Sequence, residues 1–394
     1  MARILTWFEQ DFADQQNGWL QGPPNHQRGV TPLNILNVMW SGGSPFASIH
    51  SVHRQVLAHA PSGAQVTNWL LLGEGLCSGV GQTRSWHLSP RVLKGRLAHR
   101  LALSWVKWRL RRALKVVVPD VLLLDGLGVA RLLLPLLRRL PDVQVAVLFH
   151  GTTRLTRRDV ALFRQFPVER LTVAAVSTTL ALSLAQGLGR SVQSLRVALN
   201  PRAFTDHSLD REQARQALSL MEDGLVLGAV GRLVESKGFE MLIQAFARTR
   251  AVQQGARLVI LGDGPLRGQL EAQARSLGVG DRVRFYGHRE DSIRLYPAFD
   301  WLLLPSRSEG LGLVLQEAVL SKVPVVCSDL PVFREQLADA GHYLPTDDPY
   351  AWADVIDDCA FQDAGAKASE QWQALAPEQG WQAFRSGSAS LLAR

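Results

Sequence analysis

With 394 residues, 46% hydrophobic and 20% charged, the chain is long for one core and too apolar for disorder, so two folded domains are expected. Its formal net charge of +8 points to an anionic partner: nucleic acid, an acidic membrane surface or a phosphorylated substrate. Cys77, Cys327 and Cys359 are widely spaced, with neither CxxC nor metal-ligand spacing, which argues against a disulfide framework and for a reducing cytoplasm.

The N-terminus, MARILTWFEQDF, turns acidic before an apolar stretch develops, so no signal peptide is expected. The most apolar region, 116–137, is broken by Asp120, Asp125, Arg131 and prolines, and falls short of a membrane span. Residues 1–32 have no clear period and read as an irregular extension. A first strand is expected over 33–40. Ser41-Gly42-Gly43-Ser44 then turns into a helix over 46–59, a corner that accommodates an anion or is simply a tight turn.

The next strand is expected over 65–72, then a loop over 74–90 and a long basic helix over 91–115. On a helical wheel Leu97, Leu101, Trp105 and Trp108 share one stripe, and Arg96, Arg100, Lys107 and Arg111 share another. That pattern suits an anionic bilayer surface; the alternative is a helix laid on its own core with solvated arginines. Strands over 121–124 and 143–149 flank a helix over 129–140. The second strand ends in His150-Gly151-Thr152-Thr153, and a histidine there stands where α/β folds bind ligands, or serves structure alone. A strand over 173–176 and a helix over 178–186 lead to Asn200-Pro201, a breaker pair taken as the domain boundary.

The alternation then restarts, with strands over 225–230, 257–261, 283–286, 301–304 and 324–327 and helices between most of them. Two successive βα arrays predict an α/β fold of two Rossmann-like domains facing each other across a cleft. GDGPLRG departs from a dinucleotide fingerprint, because Gly268 comes one position late and Pro265 occupies the helix start. GxxxxGK[ST], HExxH, GxSxG and a short Asp-x-Asp motif are all absent from the sequence. Arg232 and Lys237 follow a strand, where two cations can neutralise a diphosphate without metal; the alternative is solvated loop charge. Gly310 and Gly312 would let the backbone approach a phosphate, with Glu309 beside them and Glu317 about two helical turns further on; taken alone, the motif is equally an ordinary βα turn with one exposed and one helical Glu.

The stretches GRLVESKGFEMLIQAF, VILGDGP, FYGH and SEGLGLVLQEA, in this order and spacing, resemble the donor domain of retaining GT-B-fold glycosyltransferases of family four, whose signature is Glu-x7-Glu. The resemblance covers most of the chain; in the N-terminal half it rests on Gly42-Gly43 and His150-Gly151. Two features depart from the family pattern. The glycine pair comes later than usual, and Asn200-Pro201 stands where Asn-Gly is commoner.

The resemblance implies an acceptor-binding domain over 1–199, a donor-binding domain over 200–369, and a C-terminal helix from about 370 to 394 packing back on the first. It makes His150 and Glu309 the catalytic candidates, His150 at the reaction centre and Glu309 on hydroxyls of the transferred sugar. Arg232 and Lys237 would hold the diphosphate, with Gly42, Gly43 and Gly231 also on the donor. Amides of Gly310, Leu311, Gly312, Leu313 and Val314 would lie near sugar and phosphates, Gly262, Gly264 and His288 near the base, and Glu317 on the ribose. Glu309 is expected to be exposed and Glu317 to face a solvent-filled cleft.

The implied activity moves a hexose or N-acetylhexosamine from a nucleotide-diphosphate sugar, with retention, to a lipid-linked or phosphorylated glycan, as in lipopolysaccharide or cell-surface polysaccharide synthesis. No metal or other cofactor is expected beyond the nucleotide sugar. An anionic membrane surface at the inner face is an expected partner of a cytoplasmic, peripheral protein, and nucleic acid is not. The alternatives are a GT-B-fold sugar-nucleotide epimerase and a non-catalytic membrane-surface or nucleic-acid binding protein.

Overall fold

A computed structural model describes residues 32–41, 47–73, 79–93, 100–138, 140, 142–205, 208–220 and 224–393. Residues 1–31 of the expected extension, Gly42, Gly43, Cys77, Arg96 and Leu97 lie outside the described residues. The described residues divide into two compact units, one of those within 32–197 with 382–393, the other of those within 198–381.

The first unit holds β1 (Asn34–Ser41), β2 (Gln65–Leu72), β3 (Gln82–Ser85), β4 (Val121–Asp125), β5 (Gln144–Phe149), β6 (Leu171–Ala175) and β7 (Gln193–Ser194), paired in the order β3-β2-β1-β4-β5-β6-β7. Its helices include α1 (Ala47–Leu57), α2 (Arg100–Val117), α3 (Gly126–Leu137) and α4 (Arg157–Arg164). The second unit holds β8 (Val226–Val230), β9 (Arg257–Leu261), β10 (Val283–Phe285), β11 (Trp301–Leu304), β12 (Val325–Ser328) and β13 (His342–Leu344), in the order β10-β9-β8-β11-β12-β13. Among its helices are α5 (Phe239–Phe246), α6 (Leu313–Leu320) and α7 (Ala364–Leu375). Among the described residues every strand pair is parallel.

Each sheet grows outward from its first strand and then restarts on that strand's other side. The reversals fall between β1 and β4 and between β8 and β11. Open α/β sheets bind ligands beyond the carboxyl ends of strands at such a switch point.

Central strands such as β4, β8, β11 and β12 read as apolar runs because both sheet faces are covered. Leu258, Ile260, Trp301 and Leu303 join one buried cluster with Phe239, Leu242 and Phe246 of α5. Val259, Leu261, Leu302 and Leu304 join another with Leu315, Ala318 and Val319 of α6. The two-residue alternation of a strand thus divides one apolar run between two cores.

Several elements differ from the sequence expectation. β3, QTRS, is a polar edge strand held by its backbone ladder to β2, so it carries no apolar signal. Helix α4 is charged and opens on a capping box in which Thr156 and Asp159 satisfy each other's backbone N–H groups. The basic helix expected over 91–115 consists, in the described residues, of a turn at Pro90–Leu93 and of α2. Its buried stripe is Val106, Leu110 and Leu114, whereas Trp105 and Trp108 are each 55% exposed. The chain returns to the first unit at Gln382 rather than near 370. Gln371 of α7 is fully buried in the second unit, where its amide accepts from the Val325 N–H and donates to the Val325 carbonyl, both at 2.8 Å. Among the described residues no helix is long and apolar enough to cross a membrane.

Candidate active site

In the second unit, glycine loops follow β8, β9 and β10. Gly262 has φ 145°, and a Cβ there would fall 1.8 Å from the Gly231 carbonyl oxygen, so the two backbones meet where only glycine fits. The Gly231 N–H donates to the Leu261 carbonyl at 2.9 Å, the Leu233 N–H to Asp263 at 3.0 Å and the Gly262 N–H to Gly287 at 2.8 Å. Three loops are thereby tied into one rim. A Cβ on Gly264 would stand 2.4 Å from the Leu233 carbonyl oxygen, so both glycines of the GDG turn are used in loop packing. Arg232 and His288 are exposed on this rim.

Glu309 leaves β11 through Pro305 and the buried Ser306. Its Oε1 accepts from the Ser306 hydroxyl at 2.8 Å and is ion-paired with the Lys237 ammonium. The side chains of Lys237 and Glu309 are only 24% and 13% exposed. The expectation of an exposed Glu309 is therefore corrected: a hydroxyl and a cation replace its water. Residues 310–314 run from this loop into α6, with Leu311 buried and Gly312 at the N-cap.

Glu317 is half-buried on α6, and its Oε2 accepts from the hydroxyl of fully buried Tyr296 at 2.6 Å. Burial raises its carboxyl above the ordinary range, opposed by the bond from Tyr296. One of its oxygens thus turns onto a core tyrosine, and the side chain is only partly open to solvent.

In the first unit, β4 ends at Asp125 and β5 is followed by His150. A pocket of about 470 Å³ lies there, lined by Trp40, Asp125, Arg131, His150, Thr152 and Arg154 among others. Asp125 Oδ2 accepts from the Trp40 N–H at 3.2 Å, which ties the ends of β1 and β4 together. His150 Nε2 lies 3.0 Å from His53 Nε2 of α1, and His53 Nδ1 lies 2.7 Å from Asn37 Oδ1 of β1. Asn37 Nδ2 donates to Asn68 Oδ1 of β2 at 2.8 Å.

Burial, followed by the nearby His150 and His50, pushes His53 well below the ordinary imidazole range. Burial with His50 pushes His150 to about 3, so both rings are neutral at pH 7. Burial raises Asp125, opposed by the Trp40 N–H and by His50. Among the described residues, His53, Asp125 and His150 are the group whose ligand atoms gather closely enough to hold a cation, all within 4.8 Å of one another.

The structure brings Lys237 together with Glu309, and the glycines of the rim with one another. Gly42 and Gly43 lie outside the described residues. The sequence reading missed Ser306 and Tyr296, the partners of the two glutamates, and the polar set behind His150. Asn37 and Asn68 had a signal, each a polar residue inside an apolar strand. So had His53, a histidine on the buried face of α1 beside Val52 and Val56.

Residues 210–373 match the family described as Glycosyl transferases group 1. The chain is 36% identical over 157 residues to D-inositol 3-phosphate glycosyltransferase of Corynebacterium urealyticum, 37% of each chain. It is 40% identical over 112 residues, 28% of this chain and 32% of the relative, to the lipopolysaccharide core biosynthesis glycosyltransferase LpsE of Rhizobium meliloti. The chain spans less than half the length of these curated relatives. The structure of Anabaena HepE in complex with UDP and glucose superposes with a TM-score of 0.70 at 18% identity, over 91% of this chain and 97% of that one. That likeness shows the fold, GT-B, with a Rossmann-like sheet in each unit.

Proposed function

We propose, because residues 210–373 match the family described as Glycosyl transferases group 1 and the fold is GT-B, that the protein is a retaining glycosyltransferase that moves a hexose or N-acetylhexosamine from a nucleotide-diphosphate sugar. The observation that carries this reading is the Lys237–Glu309 pair at the switch point between β8 and β11, where ligands of such sheets bind. When the anomeric bond breaks, negative charge gathers on the departing diphosphate, and Arg232 and Lys237 neutralise it without a divalent ion. Glu309, held in place by Lys237 and Ser306, accepts hydrogen bonds from hydroxyls of the transferred sugar. Glu317 accepts from the ribose and His150 from a hydroxyl of a sugar substrate.

The relatives named above support a lipid-linked or phosphorylated glycan as acceptor, in lipopolysaccharide or cell-surface polysaccharide synthesis. A peripheral association with an anionic membrane fits α2, whose exposed Trp105 and Trp108 stand among Lys107, Arg109, Arg111 and Arg112.

The test is incubation with a panel of labelled sugar nucleotides in the presence of chelator. Slow hydrolysis of one donor, persisting in chelator and needing more donor in Lys237→Ala, is expected. Isomerised sugar would identify an epimerase, tight binding without turnover a sensor. Turnover abolished by chelator and restored by magnesium would refute metal independence.

A further inference from the structure

Four polar side chains behind the first unit's pocket form a chain of hydrogen bonds whose direction is fixed from its inner end. Asn68 Nδ2 faces two carbonyl oxygens, Val80 at 2.6 Å and Gln82 at 3.4 Å. Carbonyls only accept, so this end of Asn68 is the amide NH2 and its oxygen faces Asn37. Asn37 therefore presents Nδ2 to Asn68 and Oδ1 to His53, at 2.8 and 2.7 Å. Against an amide oxygen, His53 Nδ1 must donate. A neutral imidazole carries one proton, so His53 Nε2 is left with a lone pair. It lies 3.0 Å from His150 Nε2, and the ring centroids are 5.1 Å apart, an edge-to-edge meeting. His150 must supply the proton of that contact.

We propose that Asn68, Asn37 and His53 are positioning residues that set the tautomer of His150, keeping its proton on Nε2 and leaving Nδ1 as a lone-pair acceptor for a hydroxyl of a sugar substrate. The hydroxyl rests on the function proposed above; the tautomer rests on the hydrogen bonds alone. A sugar hydroxyl donates to the bare imidazole nitrogen, whereas a ring protonated at Nδ1 would reverse that bond and make the hydroxyl oxygen the acceptor. A divalent ion held by His53, Asp125 and His150 requires the opposite state, because both Nε2 atoms would need lone pairs and the His150 proton would move to Nδ1. The two occupants of this cluster therefore leave different ring spectra.

The experiment is a long-range 1H–15N spectrum of ring-labelled histidines in the free full-length protein at pH 7, with His150→Gln for assignment. Protonated Nε2 and bare Nδ1 on His150, with Nδ1 protonated on His53, are expected both in chelator and after addition of zinc. His150 protonated at Nδ1, or shifts that appear with zinc and reverse in chelator, would overturn the proposal. His53→Leu removes the acceptor at similar volume and should leave His150 in a mixture of tautomers. Loss of one hydrogen bond in the transition state corresponds to about a tenfold drop in kcat, with the donor KM little changed. His53→Gln, whose amide oxygen reaches the place of Nε2, should restore both the Nε2–H tautomer and most of the lost turnover. A wild-type His150 spectrum in folded His53→Leu would equally sink the assignment, whatever the activity of the preparation. If neither variant folds, the wild-type spectrum decides alone.

Discussion

Lys237, on the loop after β8, is ion-paired with Glu309, on the loop after β11, across 72 residues of sequence. Each is mostly withdrawn from water, so each depends on the other for neutralisation. Lys237→Ala removes a charge-assisted bond of about 1.5–3 kcal/mol, and donor affinity should fall about tenfold to a hundredfold. Glu309→Ala should mainly lower kcat, because its bonds to the transferred sugar tighten as the anomeric bond breaks. The double variant should lose less than the sum of the two, since either single change already breaks the pair. Strict additivity in steady-state kinetics, or wild-type kcat in Glu309→Ala at saturating donor, would show that the pair does not work as one unit.

Gly262→Ala should damage the rim of three loops rather than the sheet beneath it. The added Cβ would lie 1.8 Å from a backbone oxygen that no rotamer change moves away, at a φ that side chains rarely adopt. We expect weaker donor binding and faster amide exchange at Leu233 and Gly262, with the core of β8 and β9 as protected as in the wild type. Undisturbed exchange at those two amides would contradict the role assigned to this glycine.

Legibility in the sequence followed what each element has to bury. β8, β9, β11 and β12 were readable because strands covered on both faces are apolar throughout, and the glycine loops because their backbones crowd. QTRS was not, since an edge strand held by backbone bonds needs no apolar side chain. Trp105 and Trp108 were grouped with Leu101 as one apolar stripe, yet the core took Val106, Leu110 and Leu114. A wheel shows which residues share a face, not which of two neighbouring faces meets the sheet. The partners Ser306 for Glu309 and Tyr296 for Glu317 come from folding distance, which no motif records.

Asp159 makes a two-pronged bond with Arg131 at 2.6 and 2.7 Å while capping α4 through Thr156. Arg131, then Thr156, hold its carboxyl down at about 2, opposed by burial. A depressed carboxylate stabilises the fold above the unfolded pKa near 3.8, and that stability is lost as pH falls toward about 2. With Arg131 half exposed to screening water, the contribution is about 1 kcal/mol. Arg131→Gln should lower the unfolding midpoint at pH 6 and narrow its difference from wild type by pH 2. A constant difference across that range would rule the pair out as the source.

Arg109 stacks 4.7 Å over Trp105 and Arg112 lies 5.8 Å over Trp108, with Val116 exposed further along α2. If this face meets an anionic bilayer, each basic residue contributes about 1 kcal/mol, and the tryptophans add a part that salt does not screen. Replacing Lys107, Arg109, Arg111 and Arg112 with Gln should release the protein from anionic vesicles at moderate salt. Trp105→Ala with Trp108→Ala should weaken the binding that remains at high salt. Unchanged co-sedimentation of both variants would remove α2 as the docking face.

Glu317 is where stability and donor binding should part. Burial raises its carboxyl above the ordinary 4.5, so the folded state keeps its proton to higher pH than the unfolded chain. Stability therefore falls as pH rises through the window above 4.5, and at neutral pH the ionised group is a net cost to the fold. Glu317→Gln retains an oxygen for the Tyr296 hydroxyl and has no charge to bury. Its unfolding midpoint at pH 7 should equal or exceed that of wild type, and any gain should vanish below about pH 4.5. The amide is a weaker acceptor for the ribose, so the donor KM should rise about tenfold, the scale of one charge-assisted bond, with kcat little changed. Thermal unfolding from pH 4 to 8 beside steady-state kinetics measures both. A variant less stable than wild type at pH 7 would mean that the charge is solvated, and an unchanged KM that the ribose lies elsewhere.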